Sequence, residues 1–179
     1  MRGRVSVQTS GNLASVIVPV EDLASSKSRK GLAMALNHTL AKTETQVNRS
    51  LVRQTGLKYG AAKAAMKRFS ANAANLQGEI KGTGNHVPLK AFGARKTAKG
   101  VSAAPWNTRR VFPGTFFVQR YGGDVFRRTT DKRFPIKKLF GPAIPKEMVK
   151  DQAKAAFNKT VATELPKRVE HEMARLLGK

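Results

Sequence analysis

Leu32, Leu36, Leu40, Thr43, Val47 and Leu51 recur at intervals of three or four, and this spacing constrains the fold more than any other feature of the chain. Residues so placed fall on one face of a 3.6-residue helix, and the stripe they form has to be buried against a second element. The pattern predicts a long helix over residues 23–54. Glu21 and Asp22 stand just before it, where carboxylates suit the exposed amides of a first turn. Gly31 is expected to kink the helix. Gly56 is expected to stop it, because glycine reaches the left-handed cap conformation without a steric cost.

Residues 60–69 read as a second helix, with Ala61, Ala65, Met66 and Phe69 on its small apolar face. From residue 73 to 140 the texture changes. Glycines and prolines punctuate short β-rich runs at 75–81, 87–92, 100–104, 111–118, 125–128 and 134–140, which predicts an antiparallel sheet with irregular loops. Short strands are also expected at 4–8 and 15–20. Gly141-Pro142 is expected to form the corner between the last strand and a C-terminal helix, which Pro145 opens without losing a hydrogen bond. Met148, Phe157, Val161 and Leu165 supply that helix with an apolar face. Pro166 is expected to kink or break it, and Val169, Met173, Leu176 and Leu177 continue the pattern.

The expected fold is therefore α+β in a single domain. It has N-terminal strands or an arm over residues 1–22, a helical hairpin over 23–70, an antiparallel sheet over 71–144 and a C-terminal helix over 145–179. A chain of 179 residues has room for one core and not comfortably for two.

Charge narrows the class of partner. Thirty-four basic residues face eleven acidic ones, a net of +23. Such an excess predicts attraction to polyanions or to an acidic surface, and self-repulsion in a free monomer. It is uneven: residues 90–140 hold thirteen basic and two acidic side chains, whereas residues 145–179 hold eight and five. The β-rich region should carry the charged surface and the C-terminal helix should be packing. Within it, residues 93–100 (GARKTAKG) read as an exposed, mobile basic loop. There is no cysteine, so disulfides and thiolate metal sites are excluded. No apolar stretch follows the basic start, and the longest apolar run, 16–20, is interrupted by Pro19, far short of the ~20 residues of a membrane span. The expectation is assembly in a cytoplasm, with no membrane partner.

Catalytic chemistry finds little support. Asp124 and Asp131 are the carboxylates of the basic region, and an acid/base pair needs convergent geometry and distinct environments. His38, His86 and His171 are scattered; His38, among apolar helix residues, reads as a packed or capping histidine. His171-Glu172 begins like a zinc-protease helix, but Arg175 stands where the second histidine belongs. No nucleophile elbow, phosphate-cradling loop or dinucleotide fingerprint is present. No catalytic, cofactor or metal residues are assigned.

A sharper alternative is residues 51–69, LVRQTGLKYGAAKAAMKRF, which read as a helix-turn-helix with Lys63, Lys67 and Arg68 on the second helix. That helix is alanine-rich and offers no Asn, Gln or Arg early, where base edges are read. The other reading is a helical hairpin bracing the sheet. Aromatics interleave the cations: Trp106 near Arg109 and Arg110, Tyr121 after Arg120, Phe126 before Arg127. Single-strand stacking platforms mix the two, and so does any half-buried strand, the reading preferred here.

Three blocks in order carry a resemblance. They are VFPGTFFV (111–118), VFRR (125–128) and FPIKKLFGPAIPKEM (134–148), of which PIKKLFGPAIP is the most specific. Upstream, LVRQTGL (51–57) and VPLKAFGARKTAKGVSA (87–103) fit the same order. Together they resemble the phage minor tail protein Z family, the tail completion proteins of long-tailed bacteriophages. The resemblance implies a structural, non-enzymatic virion protein at the head-proximal end of the tail, in a ring of six copies around the DNA path and needed for head-tail joining. The implied partners are other copies of the chain, tail terminator and tube proteins, and genomic DNA in the lumen. On this view Arg95, Lys96, Lys99, Arg109, Arg110, Arg127 and Arg128 are candidate contacts to DNA or an acidic partner. Phe116, Phe117, Phe134, Ile136, Leu139 and Phe140 are candidate subunit-interface residues. The alternative function is a basic nucleic-acid-binding protein, either indifferent to sequence or using the helix-turn-helix.

Overall fold

A computed structural model describes residues 6–10, 13–17 and 26–176. In chain order the elements are β1 (Ser6–Ser10), β2 (Leu13–Ile17), α1 (Ser26–Thr55), α2 (Tyr59–Ala64), β3 (Met66–Phe69), β4 (Gln77–Gly82) and β5 (His86–Pro88). They continue with β6 (Arg95–Thr97), β7 (Gly100–Ala103), β8 (Arg110–Pro113), β9 (Thr115–Val118), β10 (Asp124–Arg128), β11 (Ile136–Lys138), β12 (Phe140–Ala143), α3 (Ile144–Met148) and α4 (Asp151–Leu176). The architecture is α+β, as the sequence predicts.

The α1 stripe does what its spacing requires. Leu32, Leu36, Leu40, Thr43, Val47 and Leu51 are all buried, and they meet Ala153, Phe157, Val161 and Leu165 of α4, also buried. Burying each large side chain contributes roughly 1.5–3 kcal/mol. The threonines cost little in this stripe because their hydroxyls bond back one turn: Thr39 to the Ala35 carbonyl at 2.9 Å and Thr43 to that of Thr39 at 2.8 Å. The two helices run antiparallel. Gly31 near the start of α1 faces Met173 and Leu176 at the end of α4, while Gln54 at the end of α1 reaches Ala153 at the start of α4.

Gly31 does not interrupt α1, which runs unbroken from Ser26 to Thr55. A Cβ there would lie 2.8 Å from Leu176 Cδ1, so the glycine lets the end of α4 close on α1. Pro166 likewise neither breaks α4 nor ends it. Ala162, whose carbonyl loses its donor, is exposed, so solvent can serve it, while Val161 and Leu165 hold the buried side against α1. The expected start of α1 at Leu23, the outer residues of the two N-terminal strands (Arg4, Val5 and 18–20) and Leu177 lie outside the described residues.

Gly56 ends α1 as expected, at φ 78°, its amide bonded to the Val52 carbonyl at 3.0 Å. The second helix is shorter than expected. α2 stops at Ala64, and Met66–Phe69 form an edge strand antiparallel to β4. The Ala65 carbonyl accepts the Thr83 amide at 2.7 Å and its hydroxyl at 3.2 Å, which draws the chain into the sheet. Tertiary pairing overrides a helical local pattern here.

The single expected sheet is four small antiparallel ones: β1-β2-β4-β3, β11-β10-β9, β12-β5 and β6-β7-β8. Gly114, at φ 66°, splits the run 111–118 into β8 and β9, which belong to different sheets. Residues 87–92 are β5 followed by a turn of 3-10 helix at Leu89–Phe92. The segment 93–100 is no free loop, because Arg95–Thr97 pair with Gly100–Ser102 as a hairpin. Gly141 and Pro142 lie inside β12, and the strand turns into α3 only at Ile144, with Pro145 in the first helical turn. The C-terminal helical region is divided between α3 and α4. One apolar cluster joins all layers, from Leu36 and Leu51 through Ile80, Leu89 and Phe92 to Val101, Val125, Ile144 and Phe157.

Gln54 fastens the helical junction. Its Nε2 donates to Glu147 Oε2 at 2.8 Å and to the Glu147 carbonyl at 3.1 Å. Its Oε1 accepts the Ala153 amide at 3.3 Å. Glu147 is 9% exposed, so removing the donor strands a nearly buried carboxylate. Gln54→Ala is expected to destabilise the protein by about 1–3 kcal/mol. Gln54→Glu is expected to cost more, since it sets a second carboxylate against the first. Urea unfolding of both variants checks the order; a Glu variant as stable as wild type would refute the latch.

Candidate functional site

The β-rich side carries the charge almost without neutralisation. Of the thirteen basic residues in 90–140, Lys138 alone makes an ion pair among the described residues, with Asp124. The helical side differs: Lys42 bonds Glu164 at 2.6 Å, and Arg168 and Arg175 hold the buried Glu172 at 2.7 and 2.9 Å. The Lys42 hydrogen bond keeps the Glu164 carboxyl below its ordinary range, against a smaller opposing effect of desolvation.

Two sheets frame a trough on the charged side. One wall is the β6–β7 hairpin, contributing Lys96, Thr97, Ala98, Lys99 and Gly100. The other is β9 with the end of β10, contributing Thr115, Phe116, Phe117 and Arg128. The volume is about 710 Å³. A second depression of about 530 Å³, lined by Pro113, Gly114, Arg127–Arg128, Thr129, Thr130 and Asp131, shares Gly114 and Arg128 with the first and extends it.

Backbone and hydroxyl bonds hold the walls in place. The Gly114 amide donates to the Lys99 carbonyl at 3.3 Å. Thr115, buried, donates from its hydroxyl to the Phe112 carbonyl at 2.6 Å and accepts the Val101 amide at 3.0 Å. Thr97 donates to the Gly100 carbonyl at 2.9 Å across the hairpin turn. Thr115 was not singled out in the sequence; its place just after Pro113-Gly114 was the available signal, since a hydroxyl there can close the turn.

The structure sorts the candidate cations. Lys96, Lys99 and Arg128 line the trough, and Arg127 lines the depression that extends it. Arg128 also lies over the Phe116 ring, 5.2 Å from its centroid. Arg95 is in register with Ser102 and so faces the opposite side of its sheet from Lys96, which is in register with Val101. Arg109 is a structural tie: its guanidinium donates to the Gly93 carbonyl and to Ser102 Oγ, each at 3.3 Å. Arg110 opens β8, paired with Ala103 and exposed.

The aromatic candidates divide too. Phe117 and Leu139 are half-buried and pack on the core. Phe116 and Ile136 are half-buried. Phe134 and Phe140 are 60% and 49% exposed, with Arg133 and Lys138 over their rings at 5.7 and 5.5 Å. His38 is exposed on the α1 face, so it is neither packed in the core nor the cap of a helix end. The helix-turn-helix does not form: α2 has six residues, and Lys67 and Arg68 sit on strand β3. Among the described residues no three His, Cys, Asp or Glu side chains gather where they could hold a metal ion, and no helix is long and apolar enough to cross a membrane.

A family model for prophage minor tail protein Z matches residues 13–179. The chain belongs to that family. No curated protein and no solved structure matches it. The span shared with the minor tail protein Z family takes in α1 and α4, both walls of the trough and the passage from β12 to α3. The protein is thus a minor tail protein of a bacteriophage, a component of the tail.

Proposed function

We propose that this minor tail protein completes the tail as a ring at its head-proximal end, surrounding the DNA path and enabling the tail to join a filled head. One observation supports this reading above the others: twelve of the thirteen cations in residues 90–140 have no ion-pair partner among the described residues. A free protein would repel its own copies through that surface. Around DNA, or seated on an acidic neighbour, the same charge becomes favourable. Six copies would match the tube beneath, with the tail terminator and tube proteins as neighbours. Phe134 and Phe140, exposed beside the charged sheets, are the side chains that copies or neighbours would cover.

The role is architectural rather than catalytic. Of the two carboxylates in the basic region, Asp124 is bound to Lys138 and Asp131 is exposed, so neither has the partner and environment that acid/base work requires. Particles made without the protein are expected to yield filled heads and full-length tails that do not join, with joining restored by added protein. Normal joining in its absence would overturn the proposal.

A further inference from the structure

We propose that the trough between the β6–β7 hairpin and the β9–β10 strands binds the phosphate backbone of double-stranded DNA without regard to base sequence. The proposal deepens the reading of a tail-end ring around DNA and rests on it for where that DNA is met. The site itself is a property of the folded chain.

Three cations line the trough, Lys96 and Lys99 from one wall and Arg128 from the other, and Arg127 lines the depression that extends it. None of the four makes an ion pair among the described residues, and Asp131 is the single carboxylate in the lining. The trough is continuous past Gly114 and Arg128, which suits a ligand that runs on in both directions rather than a small anion.

The remaining lining chemistry argues for phosphate and against base readout. The hydroxyls of Thr97, Thr115, Thr129 and Thr130 are all spent on backbone carbonyls. Apart from the single amide of Gln119, what remains is long, flexible, positively charged side chains, the groups that neutralise phosphates and position a duplex but carry no sequence information. The lining argues equally against an acidic protein. Protein interfaces need apolar anchors in a desolvated centre, and here Phe116 lies beneath Arg128 while Phe117 packs on the core.

The test uses the full-length protein and a fluorescent duplex of mixed sequence, titrated by anisotropy across a range of salt. The trough variant replaces Lys96, Lys99, Arg127 and Arg128 with alanine. A charge-matched control replaces Lys63, Lys150, Lys154 and Lys159, which are exposed on the helical side. Each lost phosphate contact lowers the slope of log K against log salt by about 0.9, so the trough variant should be shallower by roughly 3–4. Its affinity near physiological salt should fall at least ~30-fold, and that of the control less than ~3-fold. Because Arg128 also covers Phe116, a triple variant sparing Arg128 is run alongside; it should show roughly three-quarters of that slope change, and circular dichroism should show both folded.

Equal losses in trough and control variants would overturn the site and leave only diffuse attraction. So would a dependence on duplex sequence, or a poly-glutamate chain of matched charge that binds the trough more tightly than the duplex does. Failure of the ring reading would show elsewhere, as a protein located away from the tail end in particles, and would leave this titration unchanged.

Discussion

Gly141→Val is expected to abolish folding rather than weaken it. A Cβ on Gly141 would lie 2.4 Å from Phe92 Cε2 and 2.8 Å from its Cζ, and Phe92 is 2% exposed, wedged in the common core. Overpacking of a filled site costs typically 1–3 kcal/mol and occasionally more. Alanine should fall at the upper end of that range. Valine adds two further methyl groups to the same closed space, in a protein whose total stability is of order 5–15 kcal/mol. The variant should be insoluble, or should lack cooperative unfolding by circular dichroism. Phe92→Ala in the same chain should restore part of the loss, because the two sites share one volume. A soluble Gly141→Val protein melting within a few degrees of wild type would refute the packing of β12 against Phe92.

Phe157→Ala should produce the largest loss among simple truncations in the helical layer. The ring is 2% exposed and sits in the α1–α4 seam. Removing such a ring costs about 3–5 kcal/mol, part transfer and part cavity. For a chain of this size, that lowers the melting temperature by roughly 6–20 °C. Lys30→Ala, at an exposed position of α1, should change stability by no more than about 0.5 kcal/mol. Equal effects at the two positions, read by thermal unfolding, would mean that the seam is not where stability resides.

The helical layer was legible because its signal is local. The stripe from Leu32 to Leu51 and the run from Phe157 to Leu165 each determine a buried face at 3.6-residue spacing, and those faces are buried in the fold. Where local pattern and long-range pairing disagree, the pairing prevails. Met66 to Phe69 look helical until β4 offers a ladder. Residues 93–100 look like a loop until Gly100–Ser102 come back to meet Arg95–Thr97. Gly141-Pro142 resembles a corner, yet the glycine is there to admit Phe92.

The candidate cations were legible one by one, as exposed basic residues in a β-rich region. Their grouping was not, because Lys96 and Arg128 lie on different sheets and no periodicity links them. The structural role of Arg109 was hidden for the same reason: its partners, Gly93 and Ser102, are set by how the hairpin folds rather than by sequence neighbours.

The central claim is that this minor tail protein closes the head-proximal end of the tail as a ring with its basic β-rich side toward the DNA. Imaging of intact particles, with the fold of α1, α4 and the small sheets fitted into density, tests it most directly. The account predicts a closed ring of fixed copy number between tube and head, six if it follows the tube, with Lys96, Lys99, Arg127 and Arg128 facing the lumen. Density for this fold at the distal tip, scattered along the tube, or present as an isolated copy would contradict it.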